Sequence, residues 1–187
     1  MIFNEMEYLP EPKDGIKKAK LLAEGRHLGY RYVVISYMTH PCCYIQISDK
    51  NHPLYKKHYA NIVDLTTEGT LSYSRRYLRI PDEIDPEKFS TDYNGWWIGW
   101  DYMRTGYHNF GIPEEQMSER QKEIASRHKW TTAELVDECF FVIFQLNKRT
   151  DWTDIFKDWT EPYEYQKNKE KGHIEALKDI NKSESNS

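Results

Sequence analysis

The sequence predicts an α+β fold, an antiparallel sheet of about five strands with helices packed on one face. Between residues 29 and 101, short runs of β-branched and aromatic residues alternate with turn residues, which is typical of antiparallel strands. Helical patterns flank this block instead of alternating with the strands, as in α+β domains. The chain has 187 residues, enough to bury a core.

The first elements are predicted to be a helix and a strand pair. Residues 12–25 show helical spacing of apolar side chains, with Asp14 as the N-cap and Gly25 at the end. Residues 30–37 and 43–47 are rich in strand formers, and polar and proline residues separate them. The short connection between them predicts an antiparallel hairpin.

The middle of the chain is predicted to hold a second strand pair and a long loop. Residues 62–65 and 70–73 have strand composition and bend at Gly69. Residues 79–94 contain two prolines and many turn formers, which predicts a loop. Residues 95–101 are predicted to form an aromatic strand whose glycines indicate a bulge or a close backbone approach.

The C-terminal part is predicted to be helical. Residues 114–128 are charged and weakly amphipathic. Residues 132–147 begin after a capping box of Thr131 and Glu134 and carry a wide apolar face, which predicts a helix buried against the sheet. We expect one α+β domain over residues 1–163 and a charged tail, a frayed helix or a disordered segment, over residues 164–187.

Charge and composition exclude several classes of protein. The net charge is −4, so general nucleic-acid binding is not expected, because it needs a basic surface that neutralises phosphates. Three cysteines, two of them adjacent, do not make a disulfide framework. No signal peptide and no run of about 20 apolar residues is present, so we predict a cytoplasmic protein without membrane contact.

One group of soft metal ligands occurs near the first strand pair. His40, Cys42 and Cys43 are residue types that bind zinc, but the paired spacing typical of zinc sites is missing. The alternative is that both cysteines are small buried residues. Phosphate-binding glycine motifs are absent, and no feature positions a Cys–His nucleophile. We therefore predict no cofactor and no metal.

The segment of residues 95–108 is the strongest candidate for a functional site. Side chains alternate along a strand, so Trp97 and Asp101 are predicted on one face, and Trp96, Ile98 and Trp100 on the other. We expect Trp97 to be exposed beside Asp101, with Arg104 and His108 following at the strand end. Aromatic rings beside such charges suit stacking on a base or clamping a side chain. The alternative is that the tryptophans are core and that Asp101 and Arg104 close a turn.

At this segment the sequence resembles a family of small uncharacterised proteins encoded by bacteriophages and prophages. The shared pattern is a Gly-Tyr strand start, a His-Pro-x-Tyr loop, a Gly-Leu-Thr-Tyr-like strand and a Trp-Trp-x-Gly-Phe-Asp segment before a helix. The resemblance covers about residues 28–148, and the matching pieces are Gly29-Tyr30, His52-Pro53-Leu54-Tyr55, residues 68–73 and residues 95–101.

The departures from this pattern bear on function. The relatives carry a His before the Gly-Leu strand and a further His and Asp after the aromatic segment, where this chain has Glu68, Arg104 and Tyr107. The resemblance thus implies a non-enzymatic phage or mobile-element protein that keeps the scaffold. It would bind a host protein or protein–nucleic-acid complex, as an inhibitor of antiviral defence of the anti-CRISPR kind. The residues predicted to bind the partner are Glu68, Tyr73, Arg75, Arg76, Trp97, Asp101, Arg104 and His108.

Two alternatives from other classes remain open. In the first, the protein binds or hydrolyses a nucleotide-like molecule. Trp97 or Trp100 would then stack on the ligand, and the guanidinium groups that would meet phosphate are those of Arg75, Arg76 or Arg104. In the second, the protein is a zinc-stabilised interaction module built on His40 with Cys42 or Cys43.

Overall fold

A computed structural model describes residues 1–13, 18–37, 39–82, 85 and 88–148 of the chain. The described residues form eight strands and two α-helices, with short 3-10 turns at Tyr59–Asn61 and Glu114–Gln116. The strands are β1 (Ile2–Phe3), β2 (Ala19–His27), β3 (Tyr30–Tyr37), β4 (His40–Ile47), β5 (Thr70–Arg75), β6 (Leu78–Pro81), β7 (Phe89–Asp92) and β8 (Trp96–Asp101). The helices are α1 (Glu119–Ala125) and α2 (Thr132–Lys148).

Six strands make one antiparallel sheet in the order β1-β2-β3-β4-β8-β5, and β6 and β7 pair as a separate hairpin. Strands β2, β3 and β4 follow one another directly, and β8 returns from far along the chain to lie between β4 and β5. The turn from β2 to β3 consists of Leu28 and Gly29, both with positive φ (45° and 86°). Such a two-residue turn matches the natural twist of paired strands.

The two faces of the sheet are covered differently, as strand alternation requires. We call the side that contacts α2 the helix face; among its side chains are Tyr32, Val34, Cys43 and Trp100. The other side, which packs on β6, is the hairpin face; its buried side chains include Leu21, Val33, Ile35 and Trp97, together with Leu78 and Ile80 of the hairpin. The core therefore consists of two layers, one on each side of the sheet.

The long helix confirms the most definite sequence prediction. The backbone N–H and side-chain hydroxyl of Thr131 both bond to Glu134 Oε2, and the N–H of Glu134 donates to Thr131 Oγ1. Leu135, Cys139 and Ile143 of α2 are fully buried. The antiparallel α+β class is confirmed as well. Packing of the helices together on one face is not confirmed, because α1 has no buried residue.

Three sequence predictions about local structure are wrong. Residues 19–25 belong to β2, so the predicted helix 12–25 does not form there. The apolar residues have helical spacing, but the segment pairs with β3, with one irregularity between Leu21 and Ala23. Residues 62–65 are not a strand, and Thr70–Arg75 pairs with β8 instead. The predicted loop 79–94 contains the β6–β7 hairpin, whose proline lies at its end, where a missing N–H is tolerated.

Some expectations fall outside the described residues. The predicted tail of residues 164–187 and the aromatic stretch before it belong to this group, as do Asp14 and its neighbours up to residue 17. Within the described ranges, no helix combines the length and the apolar character needed to cross a membrane.

Candidate functional site

An open cavity of about 530 Å³ lies between the hairpin face of the sheet and the β6–β7 hairpin. Aromatic side chains make most of its wall, with two aliphatic and two basic residues. Its lining is Ile35, Tyr37, Tyr44, Tyr73, Arg75, Tyr77, Leu78, Arg79 and Phe89. Its volume falls in the range of small-molecule sites, which are concave, largely apolar and bordered by a few polar groups.

The cavity depends on one glycine of the aromatic strand. Gly99 is the Cα partner of both Tyr44 on β4 and Tyr73 on β5, so it separates the two tyrosines. A Cβ at Gly99 would lie 2.4 Å from the Tyr44 ring, which therefore occupies the space above the glycine. The Tyr44 and Tyr73 rings meet edge to face with centroids 5.2 Å apart. The space at this glycine is thus filled first by a side chain, the Tyr44 ring, with the backbone carbonyl oxygen of Cys43 at 2.8 Å from the same Cβ position. The bulge lies in β5 and not in the aromatic strand β8.

Two arginines bring positive charge to the cavity. The Arg75 guanidinium lies 6.0 Å from the centroid of the Tyr73 ring, and that of Arg79 lies 4.6 Å from the centroid of Phe89. Within the described ranges neither guanidinium forms an ion pair with a carboxylate. Both side chains are held on aromatic rings and keep their N–H groups for a ligand.

Two phenols of the cavity, those of Tyr44 and Tyr73, have raised pKa values. Burial raises the pKa of Tyr73 to about 12; the neighbouring Tyr77 adds to the shift and Arg75 opposes it. Burial also raises the pKa of Tyr44, to which the Cys42 thiol contributes. The Tyr73 hydroxyl donates to the carbonyl oxygen of Tyr77 and so ties β5 to the start of the hairpin. The electrostatic character of the cavity is therefore positive, because its only ionised side chains among the described lining residues are arginines.

The predicted exposure of Trp97 is wrong. Trp97 has 0% of its surface exposed, because the hairpin that replaces the predicted loop covers it. Arg31 lies over its ring at 5.5 Å and also pairs with Asp92 of β7. Trp100, on the helix face, is 1% exposed. Neither tryptophan offers a free face on which a ligand can stack.

The other residues predicted around the aromatic strand lie apart from the cavity. Asp101 accepts a hydrogen bond from Ser72 Oγ at 2.5 Å and another from the Met103 N–H at 3.1 Å. Arg104 is exposed and forms no ion pair with a described residue, so the alternative of an Asp101–Arg104 pair is not found there. Glu68 is exposed, and its N–H donates to Glu138 Oε1.

His108 belongs to a buried cluster at the end of β4, not to an exposed rim. Thr39 Oγ1 lies 3.0 Å from His108 Nδ1 and 3.4 Å from His40 Nδ1, and the two imidazoles stack with centroids 5.9 Å apart. Burial lowers the pKa of His40, and His108 lowers it further while Asp101 opposes this. Burial likewise lowers the pKa of His108, against the effect of Glu11. Both rings are thus held in the neutral form.

The proposed zinc ligands do not converge. Cys42 and Cys43 are buried on opposite faces of β4, and the pKa of Cys42 is raised to about 12 by burial, with Asp101 adding to the shift. Among the described residues, no group of three or more His, Cys, Asp or Glu side chains is arranged to hold a metal ion.

Of the eight predicted partner-binding residues, the cavity brings together Tyr73 and Arg75; Arg76 is exposed next to them but does not line it. The sequence reasoning missed five lining residues of chemical interest, which are Tyr37, Tyr44, Tyr77, Arg79 and Phe89. Tyr37 and Tyr44 had a usable signal, since strand alternation places them on the face that carries Ile35. Tyr77, Arg79 and Phe89 lie in or next to the β6–β7 hairpin, a segment that the sequence predicts to be mostly loop.

Comparison with known proteins identifies no relative: no family model, no curated protein and no solved structure matches this chain.

Proposed function

We propose that this protein binds a small planar molecule with an anionic group, and that a nucleotide is the class that fits best. The observation that carries the proposal is the pairing of an aromatic cavity with two arginines that have no carboxylate partner among the described residues. A base is flat and apolar on its faces and fits between tyrosine rings. A phosphate accepts the bidentate bonds that a guanidinium donates.

Binding rather than hydrolysis is proposed for this site. The described residues of the lining include no carboxylate, imidazole or amine that could act as a general base, and burial raises the pKa of two of its phenols, Tyr44 and Tyr73. The His40–His108 cluster is held by Thr39 outside the lining residues. The role is therefore one of capture, in which the cavity holds the ligand and leaves it unchanged.

The test is calorimetric titration with AMP and with adenosine, which lacks the phosphate. We expect AMP to bind and adenosine to bind at least tenfold more weakly, since a charged hydrogen bond contributes about 1.5–3 kcal/mol. The double variant Arg75→Ala/Arg79→Ala should reduce AMP affinity to that of adenosine. Arg104→Ala, an exposed arginine away from the cavity, is the matched control. Equal affinity of the arginine variant and the unaltered protein for AMP would refute the proposal.

The role in inhibition of antiviral defence is a further proposal and concerns the cellular purpose. It is supported by the resemblance to phage-encoded proteins and by the acidic balance, which favours encounter with basic channels of host complexes. Affinity capture from a bacterial lysate, repeated with the Arg75→Ala/Arg79→Ala variant and with Arg104→Ala, tests it. Capture of one defence component by the unaltered protein supports it, and recovery of none speaks against it.

A further inference from the structure

Two exposed tyrosines stand side by side at the open end of the β6–β7 hairpin. Tyr77 lines the cavity and is 36% exposed, and Tyr93 lies outside the lining and is 61% exposed. Their ring centroids are 5.9 Å apart at an interplanar angle of 46°. The aromatic wall of the cavity therefore continues onto the surface.

Hydrogen bonds hold the backbone around Tyr93 in place. Leu78 and Asp92 are the last partners of the hairpin ladder, and Tyr77 and Tyr93 are their neighbours beyond it. After β7 the chain turns tightly: the Asn94 N–H donates to Asp92 Oδ1 at 2.7 Å, and the Gly95 N–H to the Tyr93 carbonyl at 2.9 Å. Asp92 is itself paired with Arg31. Tyr93 is thus an exposed ring on a fixed backbone, which lowers the entropy lost when a ligand stacks on it.

We propose that the ligand is a dinucleotide, with one base in the cavity, its phosphates on Arg75 and Arg79, and the second base on Tyr93. This inference rests on the proposed function. A mononucleotide held in the cavity leaves Tyr93 uncovered, because that side chain is not part of the lining. The net charge of −4 disfavours a long polyanion, so the second base belongs to a short ligand.

The recognition does not specify the second base. Every base has a π face, so stacking on one tyrosine tolerates any of them. At this position the affinity therefore depends on whether the ligand has a second base and not on which base it is.

The experiment compares AMP with the 5′-phosphorylated dinucleotide pApA by titration calorimetry on the full chain. We expect pApA to bind roughly tenfold more tightly, the effect of one stacked base. Tyr93→Ala should remove this gain and leave the AMP affinity unchanged, and Tyr93→Phe should keep it. Tyr59→Ala is the matched control, since Tyr59 is also exposed but belongs to the 3-10 turn after β4.

Equal affinities for AMP and pApA would overturn the dinucleotide inference and leave the proposed function standing. The same conclusion would follow if Tyr93→Ala lowered the affinities for AMP and pApA by the same factor. A ten-nucleotide oligoadenylate offers several overlapping dinucleotide sites and should bind somewhat more tightly than pApA for that reason alone. A larger gain in affinity would overturn the inference and indicate single-strand binding instead. If neither AMP nor pApA binds, the proposed function fails and the dinucleotide inference fails with it.

Discussion

The two faces of the sheet bury comparable side chains but are covered by different elements, and the candidate cavity lies on the hairpin face. The helix face is covered by α2, whose 17 residues supply a continuous apolar surface. The hairpin face is covered by two strands of four residues each, of which β6 contacts β2 and β3, while Tyr44 of β4 and Tyr73 of β5 line the cavity. A long helix covers its face of the sheet along its whole length, whereas a short hairpin covers part of its face and forms one wall of a cavity. The short length of the hairpin thus accounts for the opening beside it.

The largest effect is expected from a charge placed on the helix face. Leu135 and Ile143 are 0% exposed, so Leu135→Asp or Ile143→Asp buries an unpaired carboxylate and costs several kcal/mol, on the order of the stability of a whole domain. We expect both variants to be unfolded by circular dichroism and urea titration. Ala133→Asp, on the exposed side of the first turn of α2, is the control and should fold. Cooperative unfolding of the Leu135 and Ile143 variants would place the core elsewhere.

A smaller effect is expected where the hairpin face is tightest. In Gly99→Ala the new methyl group meets the Tyr44 ring at 2.4 Å and the Cys43 carbonyl oxygen at 2.8 Å. We expect a loss of about 1–3 kcal/mol from this overpacking, measured by urea unfolding, and a weaker affinity for AMP. Tyr44→Ala removes the nearest clashing atoms, so the double variant should be more stable than the sum of the two single losses predicts. Strict additivity would show that the ring does not contact the glycine.

The stability of the protein is expected to depend on pH through two histidines beside the hairpin face. His40 lies on that face, since it continues the alternation of Cys42 and Tyr44 along β4. The pKa values of His40 and His108 are lowered in the folded state, so below about pH 6.5 the unfolded chain binds more protons than the folded one. The contribution of these two imidazoles to the free energy of unfolding is complete above that pH and is lost as the pH falls. Urea midpoints at pH 7.5 and pH 5.0 should differ less in the His40→Gln/His108→Gln variant than in the unaltered chain. An equal difference would mean that other groups titrate.

The smallest effects are expected at the residues that the sequence placed on a functional rim. Arg104→Ala should change the free energy of unfolding by less than about 0.5 kcal/mol, because the side chain is exposed. Asp101→Ala removes acceptors for Ser72 Oγ and the Met103 N–H and should cost about 0.5–1.5 kcal/mol per hydrogen bond. Thermal melts of the two variants give the ranking. A larger loss for Arg104→Ala would contradict it.

The sequence reveals elements whose signals are local. The helix α2 begins at its capping box, and the β3–β4 hairpin and the strand β8 appear where strand formers alternate. The sequence predicts a helix in place of β2 because Ala19, Leu22 and Ala23 have helical spacing, and pairing with β3 outweighs that local pattern. It predicts a loop in place of the β6–β7 hairpin because a proline at the end of β6 resembles a proline of a loop.

These errors in local structure affect the prediction of the candidate site more than the prediction of the fold class. Alternation along β8 places Trp97 on the face opposite Trp96, Ile98 and Trp100, as predicted. Exposure of Trp97 could not follow from alternation, since it depends on whether a distant segment covers that face. The cavity has the same origin, because Tyr77, Arg79 and Phe89 approach Tyr44 only through tertiary packing. Residue types predict that aromatic and basic side chains form the candidate site, and long-range packing determines which of them lie together.

The position of β8 between β4 and β5 has a consequence for the order of assembly. Strands β2, β3 and β4 pair with their sequence neighbours and close short loops, whereas β5 pairs in the sheet only with β8. Long-range pairings form late because their loop-closure entropy must be overcome first, and β8 pairs with β4 across a longer stretch of chain than with β5. We therefore expect the meander of β2, β3 and β4 to gain amide protection early in refolding and β8 and β5 to gain it later. Protection of β5 and β8 ahead of the meander in pulse-labelled hydrogen exchange would contradict this. The tyrosines and arginines of the cavity, which come from β3, β4, β5 and the segment of the β6–β7 hairpin, then come together late in folding. A ligand that binds only the completed cavity would therefore slow unfolding and leave the earlier folding steps unchanged.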